Sequence, residues 1–122
     1  MIFQEIDGKI DLFECDVRYF NNLYKYIFQY RPEITFHLAA QSYPTISWER
    51  AKETFDINVN GTINLFESIK MTRKIYGSYD PIVVVACSSA EYGASLKPEN
   101  VPIREDAPLM PLHPYGVSKV AQ

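Results

Sequence analysis

Glycine is scarce in this chain. Only five occur in 122 residues, and nowhere do they form a G-x-G-x-x-G or similar phosphate-cradling turn. Basic charge is short as well: 12 Lys and Arg stand against 15 Asp and Glu, a net charge of −3. That balance leaves no electrostatic footprint for nucleic acid. No apolar run has the length a membrane span needs. The stretch Met1 to Gly8 carries Glu5 and Asp7 and lacks the basic start and apolar core of a signal peptide. The two cysteines, Cys15 and Cys87, show no metal-ligand spacing, so no metal site is expected. Each ends an apolar stretch, which points to buried free thiols in a reducing cytosol. What remains is ordinary for a soluble globular protein of one small domain, with 47% hydrophobic and 22% charged residues.

Residues 9–15, bounded by Gly8 and Asp16, read as a strand. Phe20, Leu23, Tyr24 and Ile27 recur at helical spacing within 19–30, and Arg31-Pro32 ends that helix. Residues 34–38, Ile-Thr-Phe-His-Leu, form a second strand rich in β-formers. A small-residue turn follows, and Pro44 keeps Tyr43 from entering a helix at once. From Ser47 a long helix is expected, burying Phe55, Val59, Ile63, Phe66 and Ile69 as one stripe. Gly61 within it suggests close packing. Residues 82–87 are a third strand, apolar throughout, so both of its faces should be covered, as in a parallel sheet. Residues 93–114 hold Pro98, Pro102, Pro108, Pro111 and Pro114 and read as a long surface loop. A last helix begins near Pro114. Alternating strands and helices imply a doubly wound parallel α/β sheet.

Three residues at the end of this pattern can move a proton at a carbonyl or alcohol. Tyr115 and Lys119 are four apart and share one helix face. Ser88 lies where the third apolar run stops, the place where open α/β sheets put their chemistry. Lys119 is placed to supply the cation that favours a phenolate. The hydroxyl of Ser88 can donate to a substrate oxygen as charge develops there. His37 reads as a satisfied core histidine, and His113 has no assigned role.

Four segments, in order, resemble the extended short-chain dehydrogenase/reductases, the nucleotide-sugar epimerases, dehydratases and reductases. They are Asp16-Val17; His37-Leu38-Ala39-Ala40-Gln41-Ser42; Asn58-Val59-Asn60-Gly61-Thr62; and Ser88 to Gly93 taken with Tyr115-Gly116-Val117-Ser118-Lys119. The resemblance covers nearly the whole chain. It implies part of a Rossmann-like domain binding NAD or NADP, with the three strands as the family's third, fourth and fifth. The chain would then be a middle fragment, starting near the third strand and stopping inside the catalytic helix, without the glycine-rich turn or the substrate domain.

The same resemblance implies roles by position. Ser88, Tyr115 and Lys119 would be catalytic, with Ser89 the competing candidate for Ser88. Asp16, Val17, Leu38, Ala39, Ala40, Asn58, Tyr115 and Lys119 would line the cofactor site. Gln41, Ser42, Ser88, Ser89 and Glu91 would meet a nucleotide sugar, a GDP-linked hexose being favoured. Family dehydratases carry acidic residues just after the catalytic hydroxyl, where this chain has Ser89 and Ala90. That departure favours reduction, and the C-terminal segment is most similar to the GDP-4-keto-6-deoxymannose reductases. GDP-mannose 4,6-dehydratases follow closely, and a 4-epimerase remains an alternative. A homodimer in the cytoplasm is implied for the full-length protein. The rival from another class is a non-catalytic fragment or partner module that keeps the fold.

Overall fold

The computed structural model describes residues 10–122. The strand expected over 9–15 begins outside the described residues, at Lys9. Its described part, 10–15, forms no strand. A strand exists through its ladder of backbone bonds, and the one sheet among the described residues pairs only two other segments. Residues 10–15 instead lean on the first helix, α1 (Phe20–Tyr30), where the Phe13 ring sits 4.6 Å from Tyr26 and 5.1 Å from Tyr30. Helix α1 forms where the periodicity places it. It ends at Arg31, which takes left-handed dihedrals (φ 43°) and returns its N–H to the Ile27 carbonyl before Pro32.

Strands β1 (Ile34–His37) and β2 (Ile82–Val85) pair in parallel, with Ile34 opposite Ile82 and His37 opposite Val85. Between them run α2 (Ile46–Glu49), α3 (Ala51–Phe55), a π turn (Asp56–Asn60) and α4 (Gly61–Ile75). After β2 come three 3-10 turns, at Ser89–Glu91, Gly93–Ser95 and Pro98–Asn100, and then α5 (Pro114–Ala121). The core is small: Ile27, Leu65 and Ile69 are buried, with Leu23, Tyr79 and Val83 packed against them.

Three sequence expectations need correction. The sheet is covered on one face only among the described residues. Thr35, His37, Val83 and Val85 face the helices, while Ile34, Phe36, Ile82 and Val84 are exposed. The apolar run signalled a strand, but among the described residues α1 and α4 cover only one of its faces. The expected long helix is broken at Arg50 and rephased by the π turn, and its buried stripe is different. Of the five residues expected to be buried only Ile69 is, while Ile63 and Phe66 are exposed. The face turned inward carries Asn58, Gly61, Thr62, Leu65, Ser68, Ile69 and Thr72. Its hydroxyls satisfy themselves within the helix: Thr62 donates to Asn58 O (2.7 Å), Ser68 to Asn64 O (2.7 Å) and Thr72 to Ser68 O (2.8 Å). Small, self-satisfied side chains allow close packing, so polarity there does not mean exposure. Finally, both thiols are free, but Cys15 is half-buried and Cys87 exposed.

Candidate active site

β2 stops at Val85, and the chain runs on through Ala86 and Cys87 to Ser88. Ser88 (φ −155°, ψ 143°) opens the first 3-10 turn and caps it reciprocally. Its Oγ accepts from Ala90 N–H at 3.2 Å, and the Glu91 carboxylate accepts from Ser88 N–H at 2.9 Å. In these bonds the Ser88 oxygen is an acceptor, so its own hydrogen is left to donate. Glu91 is turned back onto the Ser88 backbone.

Helix α5 starts beside that turn. Pro114 occupies its first position, where no N–H is missed. The next two amides find partners: Tyr115 N–H donates to Ser47 Oγ (3.0 Å) and Gly116 N–H to His113 Nδ1 (3.0 Å). Ser47 in turn donates to Pro44 O at 2.5 Å. The approach is close enough that a Cβ on Gly116 would lie 2.8 Å from the Ala90 carbonyl oxygen. Tyr115 is 8% exposed and Lys119 4%. Lys119 Nζ donates to Ala86 O at 2.8 Å, at the open end of β2, and to Gln122 Oε1 at 2.5 Å. Burial pushes the Lys119 amine below its ordinary range, opposed by the nearby Cys87 and Glu91. Ser88, Tyr115 and Lys119 thus stand on two touching elements at the carboxyl end of the sheet.

Asn58, on the π turn, ties three segments together. Its Oδ1 accepts from Gln41 N–H (2.8 Å), and its Nδ2 donates to Gln41 O (3.2 Å) and Ser118 Oγ (2.8 Å). Ser118 passes its own hydrogen to Tyr115 O at 2.7 Å. Both amide hydrogens of Asn58 are therefore committed, and the side chain acts as a backbone partner for the loop after β1. The Gln41 side chain serves that loop too, donating to Tyr43 O at 3.1 Å. Ser42 is exposed beside it, and Ser89 is exposed on the turn after Ser88.

At the carboxyl end of β1, Leu38 and Ala39 are exposed and Ala40 half-buried. Opposite them Ala86 and Cys87 are exposed after β2. The carboxyl ends of two parallel strands, with mostly small side chains after them, are the place where an open α/β sheet receives a flat cofactor. Lys119 fits it as well, since an ammonium has three hydrogens and the two bonds above use two. Asp16 and Val17 lie on a turn docked to α4: Val17 packs against Gly61, and Asn64 Nδ2 donates to Val17 O (2.9 Å) and Arg18 O (3.1 Å). Arg18 grips the Asp16 carboxylate, with Nε 3.0 Å and Nη2 2.6 Å from Oδ2, which holds Asp16 below its ordinary value.

His37 is buried, with Nε2 2.8 Å from Thr62 Oγ1. The Thr62 hydroxyl already donates to Asn58 O, so the imidazole is the donor. Burial and the charge of Lys119 both lower the His37 pKa. The sequence pattern gives Ser47, Ser118 and Asn64 no role in the site. Their partners lie 68, 60 and 47 residues away in the chain, and nothing in a local pattern marks them.

A family model described as GDP-mannose 4,6 dehydratase matches residues 2–122. A putative UDP-glucose 4-epimerase of Methanocaldococcus jannaschii is 41% identical over 87 residues, 71% of this chain and 26% of that protein. A GDP-mannose 4,6 dehydratase of Cricetulus griseus is 31% identical over 116 residues, 94% of this chain and 29% of that protein. Among solved structures, RMD from Pseudomonas aeruginosa complexed with NADPH superposes with a TM-score of 0.78 at 27% identity, covering 89% of this chain and 34% of that one. The chain therefore spans about a third or less of the length of these relatives.

Proposed function

Because the chain belongs to the GDP-mannose 4,6 dehydratase family of NAD-dependent epimerases and dehydratases, we propose that it forms part of the NAD(P)-binding domain of a nucleotide-sugar oxidoreductase. The reaction we assign is reduction of a GDP-linked 4-keto-6-deoxyhexose. When bound in its reduced form, NADH or NADPH would supply the hydride at sugar C4. Tyr115 gives its proton to the C4 oxygen, so that ketone, hydride and proton make the alcohol. Ser88 donates its free hydrogen to the same oxygen, and Lys119 lies one turn from Tyr115 with a hydrogen to spare for the cofactor ribose. Leu38, Ala39 and Ala40 line the cofactor, and Asp16 and Val17 lie at its adenine end. Asn58 and Gln41 act by holding the loop after β1 against α5. Ser42 and Ser89, both exposed at the rim, are left to meet the sugar nucleotide.

The observation that carries reduction over dehydration is the cap at Ser88. Ser89 and Ala90 stand where dehydratases carry acids, and Glu91 is bound to the Ser88 backbone. The match to a family model described as a dehydratase favours the second reading, elimination of water from a GDP-hexose. A homodimer remains part of the proposal for the full-length protein, with Ile63 and Phe66 on α4 and Val117 and Val120 on α5 exposed to meet a second copy. The cytoplasm suits a protein whose two thiols are unpaired.

The test uses the full-length gene product with a GDP-hexose and with its 4-keto-6-deoxy derivative, following NAD(P)H absorbance and product mass. Reduction predicts NAD(P)H consumption on the keto sugar and a product heavier by two hydrogens. Tyr115→Phe should lower turnover by about 10²–10⁴ while the dinucleotide still binds. Loss of water from the hexose without net NAD(P)H consumption would establish the dehydratase, and an isomer of unchanged mass the epimerase. Neither turnover nor dinucleotide binding would leave the non-catalytic module.

A further inference from the structure

We propose that His113 is a positioning residue: as a neutral imidazole it holds the start of α5, and with it the Tyr115 ring. The proposal rests on Tyr115 being the proton donor. His113 is half-buried and extended (φ −152°, ψ 161°), the conformation of a helix N-cap, and its Nδ1 accepts from Gly116 N–H at 3.0 Å. Its ring stacks on Tyr115, with centroids 5.9 Å apart and planes 23° apart. One side chain therefore fixes both the backbone that carries Tyr115 and one face of its phenol.

The donor in this cap is a backbone amide, which can only donate. Nδ1 must then carry no hydrogen, and the hydrogen of the neutral ring sits on Nε2. An imidazolium has hydrogen on both nitrogens and cannot accept, so protonation of His113 removes the cap. A serine or asparagine at the same place would cap without that dependence. The surroundings do not replace the bond. His113 lines an apolar cleft whose walls from α2 and α3 are Trp48, Ala51 and Phe55; the charged neighbours Glu49, Arg50, Lys52 and Glu53 are not among its lining residues. From α5 the titratable group facing the ring is Tyr115 itself, while Lys119 is turned to Ala86 and Gln122. Ser47 caps the Tyr115 amide independently, so the helix keeps one anchor when His113 lets go.

The experiment has a spectroscopic and a kinetic arm, both on the full-length gene product. With nitrogen-15 histidine, the His113 shifts at neutral pH should show Nδ1 unprotonated and Nε2 protonated. In turnover of the 4-keto sugar, His113→Ala should lower kcat, by at most about 30-fold if the full free energy of a lost N-cap falls on the positioning of Tyr115, with KM for the dinucleotide unchanged. His113→Asn, whose side-chain oxygen can accept from the Gly116 N–H, should restore kcat. A protonated Nδ1 at neutral pH, a native kcat in His113→Ala, or a kcat not restored in His113→Asn overturns the proposal. Should His113→Ala fold poorly, His113→Asn and the shifts decide. If no nucleotide sugar is turned over, the shifts still decide the cap, separately from the reaction assignment.

Discussion

Glu91 accepts the Ser88 amide at 2.9 Å, and that bond separates two roles a carboxylate could have here. An acid/base at the sugar needs a proton to exchange. A cap needs only an oxygen that accepts, and a glutamine supplies one. Glu91→Gln should therefore leave turnover within about twofold, since the amide oxygen can keep the capping box. Glu91→Ala removes the acceptor and should cost about 0.5–1.5 kcal/mol of stability, the net worth of one hydrogen bond, with turnover reduced because Ser88 is no longer fixed. Steady-state rates and thermal midpoints of the two variants in the full-length gene product check this. A collapse of activity in Glu91→Gln at unchanged stability would point to proton transfer, and so to dehydration. The same residue shows the limit of reading by position. The motif places Glu91 near the substrate, but only the folded turn reveals that its carboxylate faces the backbone.

At the scale of elements, α1, β1 and β2 were legible because one local signal decides each of them. Leu23 and Ile27 sit one turn apart, and runs such as Ile82 to Val85 are β-branched throughout. The segment 46–75 was not legible in the same way. A break at Arg50 and a π turn at Asp56–Asn60 shift the helical phase, and the buried face is built from Thr and Ser that bond within the helix. A hydrophobic template chooses Ile63 and Phe66, which are exposed. The tie between β1 and α4 is also polar, His37 to Thr62. Burial first, and Lys119 second, lower the His37 pKa from 6.5. The fold thus binds neutral His37 where the unfolded chain would take up a proton. This contribution to stability is full above about pH 6.5 and is lost as pH falls from there through the lower folded value. NMR titration of His37 in the full-length gene product should give a midpoint below 6.5. His37→Gln keeps a donor for Thr62 and cannot titrate, so it should flatten the loss of the urea midpoint on acidification. A His37 midpoint at or above 6.5 would refute this account.

For the whole molecule the question is how much apolar surface these 122 residues can bury by themselves. The buried hydrophobic side chains described are Ile27, Leu65, Ile69 and Tyr115, while Ile34, Phe36, Leu38, Ile82 and Val84 lie exposed on or beside the sheet. Burying an aliphatic or aromatic side chain is worth about 1.5–3 kcal/mol, and ordering each residue's backbone costs about 1–2 kcal/mol, so so short a list of buried side chains leaves little surplus. Residues 10–15 add contacts through Phe13 but no strand. The 122-residue chain in isolation should accordingly be compact and poorly packed. Expected signs are strong binding of a hydrophobic dye, weak near-ultraviolet circular dichroism and a broad thermal transition. It should also bind NAD and NADP weakly in calorimetric titration. The residues proposed to meet the cofactor, Leu38, Ala39, Ala40 and Lys119, are present, but no glycine-rich turn in the sequence can bring a helix N-terminus to the pyrophosphate. The two measurements support each other: an added segment that covers the bare sheet face should sharpen the transition, and one that also carries such a turn should bring dinucleotide affinity. A sharp two-state transition of a monomer, together with micromolar dinucleotide affinity, would mean that this sheet is stable with one covered face and that the cofactor site needs no phosphate turn.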